Sequence, residues 1–368
     1  MTQERKKVLF LVPAFAAGVG GAERVIATIL RYLDHSRFEC HLALVGTGGA
    51  YLDRVPPSVS VHELGVSRMR YALPAIIRLV WRLRPRTLLT TVTHLNFMLV
   101  LARPFLPRDL RLLLREATTP GAFIQKDTQH PILWRWGYRH LYPRAKKIIC
   151  LSDSMVEEMV LHFAIPREKL VRIYNPVDNT LLQLAAGQFN PYQGNVPHLV
   201  VAGRLRKEKG FDVLLDAMPA IIQSFPSVRL AVLGEGPQES ELKAQAARLG
   251  VVEHVDFMGF RQNPWPYIKH ADLFVLASRF EGLPNAMLEA LALGTPVVAT
   301  DCSGGIREIP RSAGRITLVP PDSPNALAEG IIAALGQRKR SAYLPPQVPG
   351  CLKDFEIEHV VSEYSRLF

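Results

Sequence analysis

Short runs of β-branched and other apolar residues alternate with longer stretches of helical periodicity along almost the whole chain, and no other feature restricts its fold as much. Strands that run parallel need a crossover between them, most often a helix, so repeated strand–helix units build parallel sheets covered on both faces. In the first half the spacing predicts strands at Lys7–Val12, Glu39–Val45, Ser60–Glu63, Thr87–Thr91, Leu110–Arg115 and Lys147–Leu151. In the second half it predicts strands at His198–Ala202, Arg229–Leu233, Val255–Gly259, Leu273–Ala277, Pro296–Ala299 and Gly314–Val319.

A chain of 368 residues exceeds the size at which one hydrophobic core keeps growing. The Gly-, Pro-, Asn- and Gln-rich stretch Ala185–Pro197 reads as the linker between two domains. The expected organisation is 1–186 as a first doubly wound domain and 187–352 as a second, with 353–368 a C-terminal helix free to cross back to the first. The fold class is α/β. Two such domains facing each other would place a central cleft along the carboxyl ends of both sets of strands, where open parallel sheets bind ligands.

Arg5-Lys6-Lys7 followed by VLFLVPAFAAG has the outline of a signal peptide, but the same strand–loop–helix grammar recurs downstream and favours a buried first strand. The apolar run Leu88–Ala102 is too short, and too interrupted by Thr90, Thr91, Thr93, His94 and Asn96, to span a bilayer. Cys40, Cys150, Cys302 and Cys351 stand singly, with no pairing or metal-ligand spacing, which fits a reducing compartment.

The net charge of +11 calls for an anionic partner. Ser67–Thr87 carries Arg68, Arg70, Arg78, Arg82, Arg84 and Arg86 without an acid, interleaved with apolar residues that include Trp81. A second patch, Trp134–Lys147, mixes Trp134, Trp136, Tyr138 and Tyr142 with Arg135, Arg139, Arg144, Lys146 and Lys147. Both suit an anionic membrane surface; both are equally readable as surface helices whose aromatic rings pack inward. No nucleic-acid reading module accompanies the charge.

Two segments carry chemistry. In GRLRKEKG a glycine turn at Gly203 follows a strand, so backbone can approach a ligand while Arg204 and Lys209 supply positive charge for phosphate. In ASRFEGLPNAMLEALALGTPVVAT, Pro284 suits a helix start, Glu281 precedes it in a loop and Glu289 lies on the helix. Glu281 as a helix cap and Glu289 as a solvated side chain remain open alternatives. In the first half, VPAFAAGVGGAER has Glu23 where a dinucleotide fingerprint needs glycine, so a dehydrogenase reading fails; Gly20 and Gly21 could simply form a tight turn. His94 follows a predicted strand and would sit at the carboxyl edge of the first sheet. Arg115 and Glu116 end the next strand and read either as cleft residues or as a structural ion pair.

From Val200 to Glu308 the ordered blocks VAGRLRKEKG, LAVLGEGP, VDFMGF, ADLFVLASRFEGLPNAMLEALALGTPVVATD and SGGIREI resemble the donor half of glycosyltransferase family 4 (the group 1 enzymes), retaining transferases of the GT-B fold. The spacing from Glu281 to Glu289, with Arg204 and Lys209 upstream, is that family's donor signature, and a looser resemblance covers the first half. The resemblance implies that Glu281 approaches the hydroxyls of the donor sugar, Glu289 holds the ribose, and Arg204 and Lys209 grip the diphosphate. Phe260, Arg261 and Asn263 would lie beside the base, and Gly282, Leu283 and Pro284 would present backbone to sugar and phosphate. It also implies that Gly20 and Gly21 open a helix toward the cleft and that His94 hydrogen-bonds the donor sugar.

The activity so implied is retaining transfer of a hexose or N-acetylhexosamine from a nucleotide sugar, UDP-linked by family frequency, to a glycan or polyprenyl-linked acceptor. The expected setting is the cytoplasmic face of the cell membrane, held peripherally, with no metal or other cofactor and no nucleic acid. A nucleotide-sugar epimerase, a phosphorylase and a non-catalytic nucleotide-sugar-binding protein share the fold. An epimerase would convert the nucleotide sugar without an acceptor.

Overall fold

The computed structural model describes residues 5–14, 21–49, 52–127, 129–194, 196–309, 315–338 and 350–368. These form two compact units, one of Met1–Pro176 with Asp354–Phe368 and one of Val177–Lys353.

The first unit is built on a parallel sheet of β1 (Lys6–Val12), β2 (Phe38–Leu44), β3 (Ser60–Glu63), β4 (Thr87–Thr91), β5 (Arg111–Arg115), β6 (Lys147–Cys150) and β7 (Leu170–Arg172). Its spatial order is β3-β2-β1-β4-β5-β6-β7. β1 is buried from Val8 to Val12, so the apolar run behind the basic N-terminal residues is a core strand. β7 was not anticipated: it spans three residues, only Leu170 is fully buried, and its pairing with Ile148–Cys150 is what makes it a strand.

The C-terminal helix Ile357–Leu367 belongs to this unit because its apolar stripe is completed there. Ile357, Val360, Val361, Tyr364 and Phe368 share one buried cluster with β1, β2 and the helix Gly21–Tyr32. The Phe368 ring meets Phe10 and Phe38 edge-on at 5.6 and 5.8 Å.

The second unit carries β8 (His198–Ala202), β9 (Arg229–Leu233), β10 (Val255–Gly259), β11 (Leu273–Leu276), β12 (Val297–Thr300) and β13 (Ile316–Val319), all parallel, in the order β10-β9-β8-β11-β12-β13. Position 314, included in the expected last strand, lies outside the described residues. The helices Phe211–Ser224 and Pro324–Arg338 cover one face of the sheet and share its core.

The second unit begins at Val177, ahead of the expected boundary at 187. The helix Asn179–Ala186 packs with the second unit, where Gln183 and the carbonyl of Ala185 find their hydrogen-bond partners. Gln183 Nε2 donates to Ala292 O at 3.1 Å, Lys269 Nζ donates to Gln183 Oε1 at 3.3 Å, and Asn263 Nδ2 donates to Ala185 O at 2.9 Å.

In each sheet the chain first builds outward on one side and then crosses to the other. The reversals fall between β1 and β4 and between β8 and β11. Crossover connections diverge at such a point and leave a crevice outside the carboxyl ends of the two strands, which is where ligands bind in this architecture.

Candidate active site

β8 and β11 flank the reversal in the second unit, and the two chemistry-bearing segments leave their carboxyl ends. After β8 the chain turns through Gly203 and Arg204 into the short 3-10 turn Lys207–Lys209 and then Gly210. Gly210 has φ +64°, and a Cβ there would lie 2.0 Å from the carbonyl oxygen of Ala277, so only glycine allows this close approach. The contact seats Lys209 against the loop that leaves β11.

Lys209 Nζ lies 2.6 Å from Glu281 Oε1, and Ser278 Oγ donates to the same oxygen at 2.8 Å. Both bonds fall on Oε1, so the second carboxylate oxygen remains available as an acceptor. Glu281 is thus no helix cap: Pro284 opens the helix Asn285–Ala292 without a side-chain cap. Behind the turn, Gly282, Leu283 and Pro284 are buried. The amino end of the helix, where its dipole is positive, is suited to phosphate oxygens.

Glu289 lies on that helix between Leu288 and Ala290, both buried, and Trp265 Nε1 donates to its Oε2 at 3.0 Å. Glu289 is therefore held in place and not a freely solvated side chain. Arg204 is exposed and makes no ion pair among the described residues.

Phe260 follows β10, and its N–H donates to Glu235 Oε1 at 3.1 Å. Arg261 is exposed beside it. Asn263 spends its amide on Ala185 O and on Gln188 Oε1 at 2.8 Å, anchoring the start of the unit. Cys302, in the loop after β12, has its thiol pushed up to about 12 by burial and by the charge of Glu281. It stays protonated at neutral pH.

Arg279 ties these segments together. Its guanidinium forks onto Asp212 at 2.8 Å on each oxygen, and Nε lies 2.5 Å from Asp322 Oδ1. It also donates to Lys207 O at 2.6 Å, while its own N–H donates to Glu208 O at 2.8 Å. One side chain thereby holds the Lys209 turn to the Glu281 loop. Sequence reasoning missed Arg279, Trp265 and Ser278. Arg279 and Ser278 stand inside the motif that was read, but their partners are distant in sequence.

In the first unit, Gly21 begins the helix Gly21–Tyr32 after β1, and Gly20 lies outside the described residues. His94 sits in the first turn of the helix Thr93–Leu101, directly after β4. The His94 ring is exposed and meets Phe123 and Trp134 edge-on at 5.3 and 5.5 Å. Arg115 and Glu116 are both buried and bond elsewhere: Arg115 to Thr91 and Asn175, Glu116 to Thr93, Asn96 and Tyr142.

All six arginines from Arg68 to Arg86 are exposed, while Ile76, Leu79 and Val80 turn inward. The second patch divides. Tyr138 and Tyr142 are fully buried, whereas Ile132, Leu133 and Trp136 are 82%, 64% and 51% exposed beside Arg135 and Arg139. Among the described residues no helix is long and apolar enough to cross a membrane.

A cavity of about 650 Å³ in the second unit, lined by Tyr192, His198, Arg229, Asp256 and Tyr267, opens at the amino ends of β8 and β9. It is remote from the crevice that holds Lys209 and Glu281.

Parallel doubly wound units, with a lysine–carboxylate pair and a helix amino end at the sheet reversal, define an α/β protein whose crevice is suited to a phosphorylated ligand. The family described as Glycosyl transferases group 1 matches residues 196–337, and Glycosyltransferase Family 4 matches residues 19–181. The chain belongs to this family, the group 1, family 4 glycosyltransferases, and has their GT-B fold.

It is 29% identical over 341 residues to the N-acetylgalactosamine-N,N'-diacetylbacillosaminyl-diphospho-undecaprenol 4-alpha-N-acetylgalactosaminyltransferase of Campylobacter jejuni, covering 89% of this chain and 91% of that protein. It is 35% identical over 147 residues to the lipopolysaccharide core biosynthesis mannosyltransferase LpsB of Rhizobium meliloti, covering 38% of this chain and 42% of that protein. Among solved structures, sucrose-phosphate synthase from Thermosynechococcus elongatus superposes with a TM-score of 0.80 at 17% identity, covering 99% of this chain and 98% of that one. Anabaena Alr3699/HepE in complex with UDP and glucose gives 0.78 at 20% identity, covering 98% and 99%.

Proposed function

We propose that the protein moves a hexose or N-acetylhexosamine, with retention of configuration, from a UDP-sugar to a lipid-linked or polysaccharide acceptor at the inner face of the membrane. The observation that carries this is Glu281, steadied through Oε1 by Lys209 and Ser278 and left with Oε2 to accept a hydroxyl. The acceptor class is supported by the Campylobacter and Rhizobium relatives, whose names specify a diphospho-undecaprenol-linked acceptor and lipopolysaccharide core biosynthesis. UDP as the carrier is supported by the structural neighbour crystallised with UDP and glucose.

In this reading Glu281 orients the sugar, Glu289 takes the ribose, and Phe260 and Arg261 lie beside the base. Arg204, Lys209 and the amino end of the helix Asn285–Ala292 neutralise the diphosphate. The bond from the sugar C1 to the phosphate oxygen breaks with its electron pair going to that oxygen. The acceptor hydroxyl oxygen bonds C1 from the same face, and its proton passes to the departing phosphate. His94 hydrogen-bonds the transferred sugar. Stabilising the leaving diphosphate is the largest part of catalysis, and positive side chains with backbone N–H groups accomplish it without a metal. The exposed arginines, with Ile132, Leu133 and Trp136, hold the enzyme peripherally on anionic lipid.

Thermal stabilisation by a panel of UDP-, GDP- and ADP-sugars identifies the donor. Transfer to a polyprenyl-diphosphate-linked glycan, with the product anomer read by NMR, then tests acceptor and stereochemistry. Transfer that survives both Glu281→Ala and Lys209→Ala, or a product of inverted configuration, overturns the reading. Equal sedimentation with anionic and neutral vesicles overturns the membrane part.

A further inference from the structure

Glu116 is a fully buried carboxylate at the end of β5 to which the proposed chemistry gives no part. Three donors converge on it. Thr93 Oγ1 reaches Oε2 at 2.9 Å, Asn96 Nδ2 reaches Oε1 at 2.8 Å, and the Tyr142 hydroxyl donates to Oε1. Asn96 also donates to Arg115 O at 3.0 Å. Thr93 and Asn96 are three positions apart on the helix Thr93–Leu101 and therefore share a face. His94 stands between them in sequence and is exposed.

The turn that delivers this helix is strained. Val92 links β4 to the helix with φ 79° and ψ 122°, a left-handed conformation that a β-branched residue adopts only when its surroundings enforce it. On the helix side of this turn Thr93 and Asn96 bond Glu116 and pull the first helical turn against the end of β5, while on the strand side Arg115 bonds Thr91 at 3.1 Å. With the turn fixed, the His94 ring rests against the edges of Phe123 and Trp134.

We propose that Glu116 is the positioning residue for His94: by gripping Thr93 and Asn96 it enforces the strained turn at Val92 and so sets where the imidazole stands. This deepens the proposed function and rests on its assignment of His94 to the donor sugar. Glu116 acts through the helix and touches no reactant. Burial pushes its carboxyl up to about 7 against the pull of the hydrogen bonds from Tyr142, Asn96 and Thr93 and of the charge of Arg115.

The test uses the full chain labelled with 13C-histidine. The His94 imidazole resonance is assigned with His94→Gln, and release of UDP from UDP-N-acetylgalactosamine is followed without acceptor. Thr93→Val removes one bond at constant volume. The His94 resonance is expected to shift and broaden, and kcat to fall at least threefold with KM within twofold. Glu116→Ala should lower kcat at least tenfold. Adding Val92→Gly, which adopts the turn with less strain because it has no Cβ, should recover several-fold in kcat while leaving the lost thermal stability unrecovered. Glu116→Gln, which keeps an acceptor, should stay within threefold of wild type.

A filler role predicts the opposite: loss of stability, an unmoved His94 resonance and no recovery by glycine, and that result overturns the proposal. If Glu116→Ala does not fold, Thr93→Val decides. If His94→Gln leaves UDP release unchanged, the role of His94 in the reaction fails, while its resonance in Thr93→Val still decides whether Glu116 positions it.

Discussion

Replacing Arg279 by alanine should loosen the Lys207–Lys209 turn more than its place near the surface suggests. The Arg279 side chain is 15% exposed, and its fork onto Asp212 is a paired, charge-assisted contact with a partner 30% exposed. The bond to Asp322, which is 58% exposed, is screened by water and contributes little. The Asp212 fork and the bond to Lys207 O together stabilise by about 2 to 3 kcal/mol, at roughly 1 to 1.5 kcal/mol for each of the two interactions. Arg279→Lys keeps the charge without the planar fork and should lose about half of that.

The same contact fixes a pH dependence. Burial alone would raise the Asp212 carboxyl, but the hydrogen bonds and charge of Arg279 outweigh it and hold the group below its ordinary value. A depressed native pKa contributes stability above the unfolded pKa of about 4, and that contribution is lost as pH falls through the lower native value. Urea unfolding of wild type and Arg279→Ala from pH 7 down to pH 3 measures both effects, with isothermal titration of UDP alongside. The expected result is a gap that is widest at pH 7 and narrows in acid, with UDP bound at least fivefold more weakly by the variant. A gap below about 0.5 kcal/mol at pH 7 would mark the contact as an ordinary surface ion pair and refute the reasoning.

Gly210→Ala forces a Cβ to within 2.0 Å of Ala277 O at a left-handed φ, so a loss of at least about 2 kcal/mol and of UDP binding is expected from thermal melts and titration. Trp265→Phe removes the donor to Glu289 while keeping most of the ring; stability should fall by about 1 kcal/mol, with a several-fold weaker Kd for UDP by calorimetry. Phe368→Ala empties a site that is 1% exposed between Phe10 and Phe38, and urea unfolding should show a loss of about 3 to 5 kcal/mol in the first unit. Transfer measured with and without EDTA should be equal, since Arg204, Lys209 and a helix amino end are proposed to carry the charge of the diphosphate.

The sequence by itself determined the α/β class, most of the strands and the residues of the Glu281 loop. Each is written within a short window of chain: β11 is a continuous buried run, and the loop and helix after it are set by Pro284 and the apolar spacing from Met287 to Leu291. Local periodicity reports which face of an element is buried, but not what buries it. The tertiary structure therefore decided everything that depends on a partner far along the chain. Lys209 and Glu281, 72 residues apart, meet because the crossover after β10 returns the chain to the side of β8. The grip of Arg279 on Asp212, the bond of Trp265 to Glu289 and the hold of Glu116 on the His94 turn arise in the same way. β7 and the start of the second unit at Val177 were illegible for a related reason. Three residues become a strand only beside β6, and the helix Asn179–Ala186 shows its allegiance only through the carbonyls and amides it meets.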